Sequence, residues 1–379
     1  MTKVFDLRLT DDPRDYIHTA VQCLVEGGVV GVPTETVYGL AVSALAPRAI
    51  ERLYEIKGRS ASAPLAAAFA SREAAQDFYI SASPVARRLS RRCWPGPLTM
   101  VLPCDNPLSA LNQIPQVIRE KMTSNGHWVG FRVCDHRIIS HIHRFLSAPM
   151  LLTSANISGK ADLTTAESVQ AELGDKIDML LDDGPTHYAA ASTIVKVDGA
   201  RVETLREGVL KQESMSEKVK PLIALVCTGN TCRSPMAEVI LKELVEKKFG
   251  GNRIEVLSAG VAAGSGMRAS PQAVQVAQEN GLDLTDHASR PLDDGIMNSA
   301  DIILTMTSHH RAAILAAWPS MHESVHTLRS DGGDISDPVG MPVEVYRSCA
   351  DQMRNELSQW LDRLVDDQWF PQMIKSGET

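Results

Sequence analysis

The chain has 379 residues, of which 44% are hydrophobic and 22% are charged. This composition is typical of globular protein, and the length suits two domains of about 150 residues each or somewhat more. With 38 Lys and Arg against 46 Asp and Glu, the formal charge is −8, so we expect no stable nucleic-acid binding, and the absence of a long apolar run predicts no membrane span.

The cysteines and the start of the chain indicate the compartment. No long apolar segment follows Lys3, so we expect no signal peptide. The seven cysteines are odd in number and form no Cys-x-x-Cys pair. This usage predicts a reduced, cytoplasmic location and no metal site.

The first half mixes helix and strand patterns. Residues at helical spacing predict helices, and short apolar runs predict strands. In chain order we expect a helix at Asp12–Gly28, a strand at Val29–Val32, a helix at Pro47–Ile56, strands at Pro64–Ala70, Leu98–Leu102 and Trp128–Val133, a helix at Arg137–Leu146, and strands at Met150–Thr153, Ile177–Leu181, Ser192–Val197 and Arg201–Leu205. The last strands lack intervening helices, which predicts a mixed, twisted α/β sheet.

A polar segment then separates two patterns. Residues 209–220 predict a linker between a domain at 6–208 and a domain at 221–369. After the linker, strands and helices alternate strictly, which predicts a doubly wound parallel sheet. The expected elements are strands at Leu222–Val226, Ile254–Leu257 and Ile302–Met306, and helices at Met236–Lys247, Pro271–Asn280, His310–Ala317 and Val343–Val365.

The sharpest motif opens the second domain. Cys227 ends a predicted strand and Arg233 opens a predicted helix, with a short loop between them. Consecutive backbone N–H groups and a helix N-terminus can wrap an anion, a guanidinium adds a planar fork for phosphate oxygens, and a thiolate is favoured in such a place. We therefore predict Cys227 as nucleophile and Arg233 as phosphate ligand, with a phosphate-binding loop of Thr228, Gly229, Asn230, Thr231, Cys232 and Ser234.

This run resembles the low-molecular-weight protein tyrosine phosphatase family, over roughly residues 221–369. Ser258-Ala259-Gly260, Asp286-His287 and Asp337-Pro338 follow in the family's order. The resemblance implies that Asp337 is the general acid, which protonates the leaving group and later serves as base. Asp331 and Asp334 lie nearby and stay open as alternatives. No cofactor is expected in this domain.

Two details concern the phosphatase substrate. Thr231 stands where the family's tyrosine phosphatases usually carry an aliphatic residue, and Val339 follows Asp337-Pro338 where they usually carry an aromatic ring. The sequence is therefore more similar to the bacterial protein-arginine phosphatase branch. A hydroxyl and a less aromatic rim suit a polar guanidinium better than a phenyl ring. Phosphoarginine in phosphorylated proteins is the preferred substrate, with phosphotyrosine as the alternative.

The first domain carries hydroxyls, amides and cations at predicted strand ends. The segments are Pro33 to Leu40, Lys57-Gly58-Arg59, Trp94 to Thr99, Thr153 to Gly159, Ser192-Thr193-Ile194 and Leu205 to Gly208. Such a set can bind a triphosphate and a small polar substrate. No residue here is an activated nucleophile, so positioning and charge would carry any catalysis.

In this order the segments resemble the YrdC-like threonylcarbamoyl-AMP synthase family, over about residues 6–210. The resemblance implies condensation of L-threonine, bicarbonate and ATP with Mg²⁺, for tRNA threonylcarbamoylation by a downstream transferase machinery. By family position, Thr34, Arg132 and Ser192 would bind threonine. ATP would be bound by Lys57, Arg59, Thr153, Ala155, Asn156 and Arg206.

Three positions depart from that family's pattern. Ala68 replaces a usual His, Cys134 replaces a usual Pro, and three alanines precede Ser192. A non-catalytic domain that binds nucleotide or RNA therefore stays open as an alternative for the first half.

Overall fold

The computed structural model describes residues 2–58, 65–79, 82–124, 127–251, 253–364, 369–370 and 372–375. The chain divides into two compact units, one of residues 1–218 and 371–379 and the other of residues 219–370. Each unit has its own sheet. Within the described part, no helix has the length and apolar character needed to cross a membrane.

The first unit is built on one large mixed sheet. Its strands are β1 (Lys3–Asp6), β2 (Val30–Val32), β3 (Gly39–Ser43), β4 (Ala66–Phe69), β5 (Leu98–Pro103), β6 (Thr123–Ser124), β7 (Trp128–Val133), β8 (Met150–Ser154), β9 (Met179–Asp182), β10 (Thr193–Asp198), β11 (Arg201–Arg206) and β16 (Gln372–Lys375). They lie in the order β1-β9-β2-β3-β8-β4-β7-β5-β10-β11-β16, with β6 beside β7. The sheet contains both parallel pairs, such as β5 and β10, and antiparallel pairs, such as β3 and β8, so the predicted mixed sheet is confirmed.

Helices cover this sheet. They are α1 (Arg14–Val25), α2 (Pro47–Lys57), α3 (Arg72–Gln76), α4 (Pro84–Cys93), α5 (Gln116–Met122), α6 (Arg137–Phe145), α7 (Ala166–Leu173) and α8 (Gln212–Lys218), with short 3₁₀ helices at Leu7–Leu9 and Ala110–Gln113. In α1 the buried residues Ile17, Ala20 and Leu24 recur at helical spacing, and they share a core with Ile138 and Ile142 of α6. The helix predicted at Asp12–Gly28 is thus present but shorter at both ends.

The second unit has a four-stranded sheet among its described residues. Its strands are β12 (Leu222–Cys227), β13 (Glu255–Gly260), β14 (Ile302–Thr305) and β15 (Val325–Thr327), all parallel and in the order β13-β12-β14-β15. Its helices are α9 (Arg233–Phe249), α10 (Pro271–Glu279), α11 (Asp294–Ser299), α12 (Ser308–Ala317) and α13 (Val343–Arg363), with a 3₁₀ helix at Pro319–Met321. The parallel sheet predicted for this half is confirmed.

Strand β12 explains why helices pack on both faces of this sheet. Ile223 and Leu225 belong to the core formed with α9, α10 and α13, whereas Ala224 and Val226 belong to the core formed with α11 and α12. Because successive side chains of a strand point to opposite faces, a fully apolar strand is buried on both. Strand β12 lies between β13 and β14, so the chain crosses to opposite sides of β12 in its two successive connections. A reversal of this kind leaves a crevice at the carboxyl end of the strand.

The segment predicted as a linker contains an ordered element. Residues Gln212–Lys218 form α8, and Met215 is fully buried. One apolar residue among polar neighbours is a weak helix signal in the sequence, which is why the polarity of the segment suggested a linker. The domain boundaries at 208 and 221 remain predictions.

Candidate active sites

The loop after β12 surrounds the sulfur of Cys227. The Sγ atom lies 3.0 Å from the Ser234 hydroxyl oxygen, and the Asn230 backbone N–H points to the sulfur at 3.3 Å. The N–H groups of Thr228, Gly229, Thr231 and Cys232 have no hydrogen-bond acceptor among the described residues. The predicted loop residues therefore lie together, with free amides at the N-terminus of α9, an arrangement suited to an anion.

Asn230 holds the loop in shape. Its backbone has a left-handed φ of 53°, which Asn tolerates better than most residues. Its side-chain amide donates to Ser234 at 3.0 Å and to Ser258 at 2.8 Å, and its carbonyl oxygen accepts the Arg290 backbone N–H at 2.9 Å. Because Ser234 accepts from Asn230, its single hydrogen can go to the Cys227 sulfur at 3.0 Å or to the Ala259 carbonyl at 3.3 Å. A thiolate at Cys227 would attract this hydrogen and be stabilised by it.

The end of β13 is packed directly against the same loop. A Cβ atom added at Gly260 would lie 2.4 Å from the Thr228 carbonyl oxygen and 3.0 Å from the Asn230 nitrogen. The following residues continue this contact, because Val261 and Ala262 donate to the carbonyls of Cys227 and Thr228 at 3.0 Å. The loop can lie this close only where the opposing residue lacks a side chain.

Arg233 and Asp337 face each other across the loop. Arg233 is 4% exposed, donates one guanidinium bond to the Ile335 carbonyl at 3.1 Å, and forms an ion pair with Asp337. The Asp337 side chain is 47% exposed, so it can reach a bound substrate. The two alternative acids are engaged elsewhere: Asp331 pairs with Arg329, and Asp334 accepts the Ser308 backbone N–H.

Side chains from distant parts of the chain also contact the loop. His310 is buried, and its Nε2 atom lies 2.8 Å from the Thr228 hydroxyl oxygen. Cys232 lies 3.4 Å from the Ser270 hydroxyl and 3.6 Å from the Tyr346 hydroxyl. Sequence reasoning missed His310, Ser270 and Tyr346, because they lie 38 to 114 residues from their loop partners.

The first unit has a cavity of about 660 Å³ on one face of its sheet. Alternate residues of neighbouring strands form its floor, as expected for one face of a pleated sheet. Seven predicted site residues lie on its wall: Thr34, Lys57, Arg132, Thr153, Asn156, Ser192 and Arg206. Trp128 and Lys196, which the sequence did not indicate as site residues, also line the cavity, and the Lys196 ammonium lies 4.1 Å from the Trp128 ring centre.

Lys57 crosses from α2 to the turn after β8. Helix α2 ends at Gly58, which has a left-handed φ of 57°, and this places Lys57 in its last turn. The Lys57 ammonium donates to the Ser154 carbonyl at 2.6 Å and also to the Asn156 carbonyl. With 4% of its surface exposed, this cation is held in place beside the cavity.

Arg132 is fixed by a buried carboxylate. Its Nη2 atom donates to Glu35 at 2.9 Å and to the Thr36 hydroxyl at 2.5 Å, and both charged side chains are at least nine-tenths buried. Its Nε atom and the second Glu35 oxygen are buried and lack a hydrogen-bond partner among the described residues. Glu35 lies in the segment Pro33 to Leu40, but no helical or strand periodicity in the sequence predicts its contact with Arg132.

Ser192 links the cavity wall to Arg206. The Arg206 guanidinium donates to the Ser192 carbonyl at 2.9 Å and to its hydroxyl at 3.2 Å, and that hydroxyl lies 3.1 Å from the Thr99 hydroxyl. Thr34 closes its own loop, because its hydroxyl donates to the Val37 carbonyl at 2.6 Å.

Two predicted ATP residues are not placed on the cavity wall. Ala155 is fully buried, and its backbone N–H donates to the Tyr38 carbonyl at 2.8 Å, so that amide is already used. Arg59 lies outside the described residues. Within the described part of the chain, no group of three or more His, Cys, Asp or Glu side chains could hold a metal ion.

Two family models match the chain. Residues 22–208 match the Sua5/YciO/YrdC model, described as telomere recombination, and residues 222–369 match the low molecular weight phosphotyrosine protein phosphatase model.

Individual relatives match the two parts separately. A putative threonylcarbamoyl-AMP synthase of Mycobacterium tuberculosis is 32% identical over 217 residues, which are 57% of this chain and 95% of that protein. The threonylcarbamoyl-AMP synthase of Bacillus subtilis is 33% identical over 219 residues. These residues are 58% of this chain, and they cover only 60% of the length of that relative. The protein-arginine-phosphatase of Bacillus subtilis is 38% identical over 149 residues, 38% of this chain and 97% of that protein.

The fold and the matches together define the class of protein. A solved structure of a Pyrococcus abyssi Sua5 variant covers 100% of both chains with a TM-score of 0.51 at 22% identity, a likeness of fold alone. The chain belongs to the Sua5/YciO/YrdC family through its first part and to the low molecular weight phosphatase family through its second. Both predicted resemblances and the α/β fold class are confirmed.

Proposed function

We propose that the chain is a bifunctional enzyme, with a cysteine-dependent protein phosphatase at Cys227 and a threonylcarbamoyl-AMP synthase in the cavity of the first unit. The observation that carries the phosphatase proposal is the contact of the Cys227 sulfur with Ser234 and with the Asn230 amide. The observation that carries the synthase proposal is the gathering of seven predicted residues around one cavity.

The phosphatase reaction would proceed in two steps. The Cys227 thiolate attacks phosphorus while the bond to the leaving nitrogen or oxygen breaks, and Asp337 gives that atom a proton. Water then attacks the phosphocysteine, the Asp337 carboxylate takes a proton from it, and phosphate and the thiolate are regenerated. Arg233 and the loop amides would hold the phosphoryl oxygens throughout. Arg233 is already partly neutralised by Asp337, so substrate binding would exchange that partner for phosphate.

Phosphoarginine is the substrate that we favour. Thr231 brings a hydroxyl to the loop, and the residue after the Asp-Pro pair is Val339, which is 63% exposed and has no aromatic ring. The Bacillus subtilis relative that is 38% identical, and 97% of which is matched by this half of the chain, is called a protein-arginine-phosphatase. The alternative, phosphotyrosine, would use the same nucleophile and acid.

The phosphatase test uses the full chain and two phosphopeptides that differ in carrying phosphoarginine or phosphotyrosine. Wild type should release phosphate, and Cys227→Ser should release none. Thr231→Ile should raise phosphotyrosine turnover relative to phosphoarginine, whereas Thr231→Ser, which keeps the hydroxyl, should leave the ratio near that of wild type. An unchanged ratio in Thr231→Ile would argue against this basis for the preference.

In the synthase cavity, charge and position would carry the chemistry. Lys57 and Arg206 would bind the phosphates of ATP, Thr153 and Asn156 would add polar contacts, and Arg132 with Thr34 and Ser192 would bind threonine and its carbamate. Mg²⁺ would enter as part of the nucleotide substrate. The product would serve tRNA threonylcarbamoylation through a separate transferase.

The synthase test is pyrophosphate release that requires ATP, threonine and bicarbonate together. We expect Arg206→Ala to reduce this release by more than tenfold, because a charge-assisted phosphate contact is lost. Arg201→Ala changes an exposed arginine on the same strand and should have little effect. ATP binding without pyrophosphate release in wild type would favour the alternative, a non-catalytic nucleotide-binding domain.

A further inference from the structure

We propose that His310 is a positioning residue of the phosphatase site, which directs the hydroxyl hydrogen of Thr228 towards a phosphoryl oxygen of the bound substrate. The inference rests on the proposed phosphatase function. It adds a side-chain donor to the backbone amides of the loop and assigns a role to a histidine that the two reaction steps do not use.

Three side chains, Thr228, His310 and Thr307, are connected in series by hydrogen bonds. Thr228 directly follows the nucleophile and is exposed. Its hydroxyl oxygen lies 2.8 Å from Nε2 of His310, which is 4% exposed. On the other side of the ring, Nδ1 lies 2.9 Å from the Thr307 hydroxyl oxygen. The imidazole is therefore held at both nitrogens.

The contact with Thr307 favours the tautomer that carries its hydrogen on Nε2. It is the N-cap of α12, and its hydroxyl oxygen accepts the His310 backbone N–H at 3.2 Å. Its own hydrogen then has the imidazole Nδ1 as its acceptor among the described residues. In a neutral ring, Nδ1 as acceptor leaves the hydrogen on Nε2, so Nε2 donates to Thr228.

The surroundings of the ring favour the neutral form. Burial is the largest cause that lowers the pKa of His310, and the positive charges of Arg233 and His309 lower it further. Asp337 and Asp334 act in the opposite direction. These are the charged groups that face the ring, and the net direction is downward.

Thr228 is then left with one directed donor. Its oxygen accepts from His310, and its hydroxyl hydrogen has no acceptor among the described residues. The neighbouring amides of the loop are also unpaired, so an anion bound there would find this hydrogen beside them. Phosphoryl oxygens accept hydrogen bonds and carry charge, which makes such a donor strong.

The test is hydrolysis of p-nitrophenyl phosphate by the full chain, together with competitive inhibition by inorganic phosphate. Thr228→Val removes the charge-assisted donor and His310→Leu removes the group that directs it, so each should lower kcat/KM by about tenfold and raise the phosphate inhibition constant. Thr228→Ser and His310→Gln keep a hydroxyl and a side-chain N–H, so they should retain most of the activity. His309→Leu, an exposed neighbour on α12, is the matched control.

The double variant distinguishes positioning from general damage. Thr228→Val with His310→Leu should be no worse than either change alone, because both remove the same donor. Effects that multiply to about 100-fold, or a fully active His310→Leu, would overturn the inference. A His310→Leu protein that fails to fold leaves the Thr228 pair and His310→Gln to decide. Wild type that shows no Cys227-dependent hydrolysis would instead overturn the proposed phosphatase function.

Discussion

Both units contain charged side chains that are buried in the folded protein. Arg132, Lys57 and Arg233 are each less than a tenth exposed, and an isolated buried charge is costly unless it is paired or hydrogen-bonded. Each has a partner: a carboxylate for Arg132 and Arg233, and carbonyl oxygens for Lys57. The partners of Arg132 and Lys57 keep these two cations in place beside the cavity, so an anionic ligand there would meet little reorganisation. Arg233 differs, because a phosphate would have to replace Asp337 as its partner.

A substitution at Glu35 tests whether the buried ion pair holds Arg132 in place at the cavity. Glu35→Gln keeps an oxygen for Arg132 but removes the compensating charge, so we expect threonine-dependent pyrophosphate release to fall by at least tenfold. The Michaelis constant for threonine should change more than that for ATP, because Arg132 is the residue assigned to threonine. Glu207→Gln alters an exposed carboxylate paired with Lys211 and is the control. Equal changes in both constants would contradict a positioning role.

The cysteines differ in reactivity for a physical reason. Burial raises the pKa of Cys23 and Cys93 to about 11, and that of Cys104, Cys134 and Cys349 to about 12. Since the thiolate is the reactive form, these five thiols should alkylate slowly at pH 7.

With iodoacetate, an anion that the loop can attract, we therefore expect Cys227 to alkylate before these five cysteines. Peptide mass spectrometry after limited reaction would identify the labelled residue, and inorganic phosphate should protect it. Preferential labelling of any of the five cysteines with a raised pKa would contradict this ordering.

Among the elements, α6 combines strong packing with an unpaired polar atom. Ile138, Ile139 and Ile142 are fully buried against the sheet. His143 follows them, and its Nε2 atom is buried without a hydrogen-bond partner among the described residues. Burial lowers the pKa of this histidine from 6.5 to about 4, so the folded unit resists its protonation.

That shift predicts acid sensitivity of the first unit. The unfolded chain takes up a proton near pH 6.5 and the folded chain near pH 4, so stability is present above pH 6.5 and declines as the pH falls between these values. Between pH 7 and pH 5 the loss should be about 2 kcal/mol. Calorimetric unfolding should show a smaller loss in His143→Leu and the full loss in His322→Leu, an exposed control. The same loss in both variants would contradict this assignment.

Element patterns in the sequence succeeded where burial followed a clear period. The run Leu222–Val226 predicts β12 because a strand buried on both faces is apolar throughout, and Pro47 with Gly58 marks the start and end of α2. The edge strand β15 was missed, because only one of its three residues is buried and the segment has no apolar run. Helix α8 was missed because one buried Met215 decides its packing.

In the whole molecule, each site is assembled within its own unit from residues far apart in the chain. The loop at Cys227 could be predicted because its members are contiguous. The pairs Glu35–Arg132 and Thr228–His310 could not, since only the fold brings together residues separated by 97 and 82 positions.

Because each site is built from residues of one unit, we expect the two activities to be independent of each other. Cys227→Ser should abolish phosphate release from phosphopeptides while threonine-dependent pyrophosphate release keeps its wild-type rate. Arg206→Ala should do the reverse. Both assays on the same full-length preparations provide the control for folding. A fall of both activities in either variant would show that the two sites are coupled.

Strand β16 has a consequence for the integrity of the first unit. It pairs in parallel with β11 along Arg201 to Thr204 and forms the outer margin of the sheet. Proteolytic removal of β16 would leave the backbone N–H and C=O groups on this edge of β11 without hydrogen-bond partners. An exposed strand edge can pair with strands of other molecules, so clipped preparations should self-associate even while the Cys227 loop and the cavity of the first unit stay chemically intact.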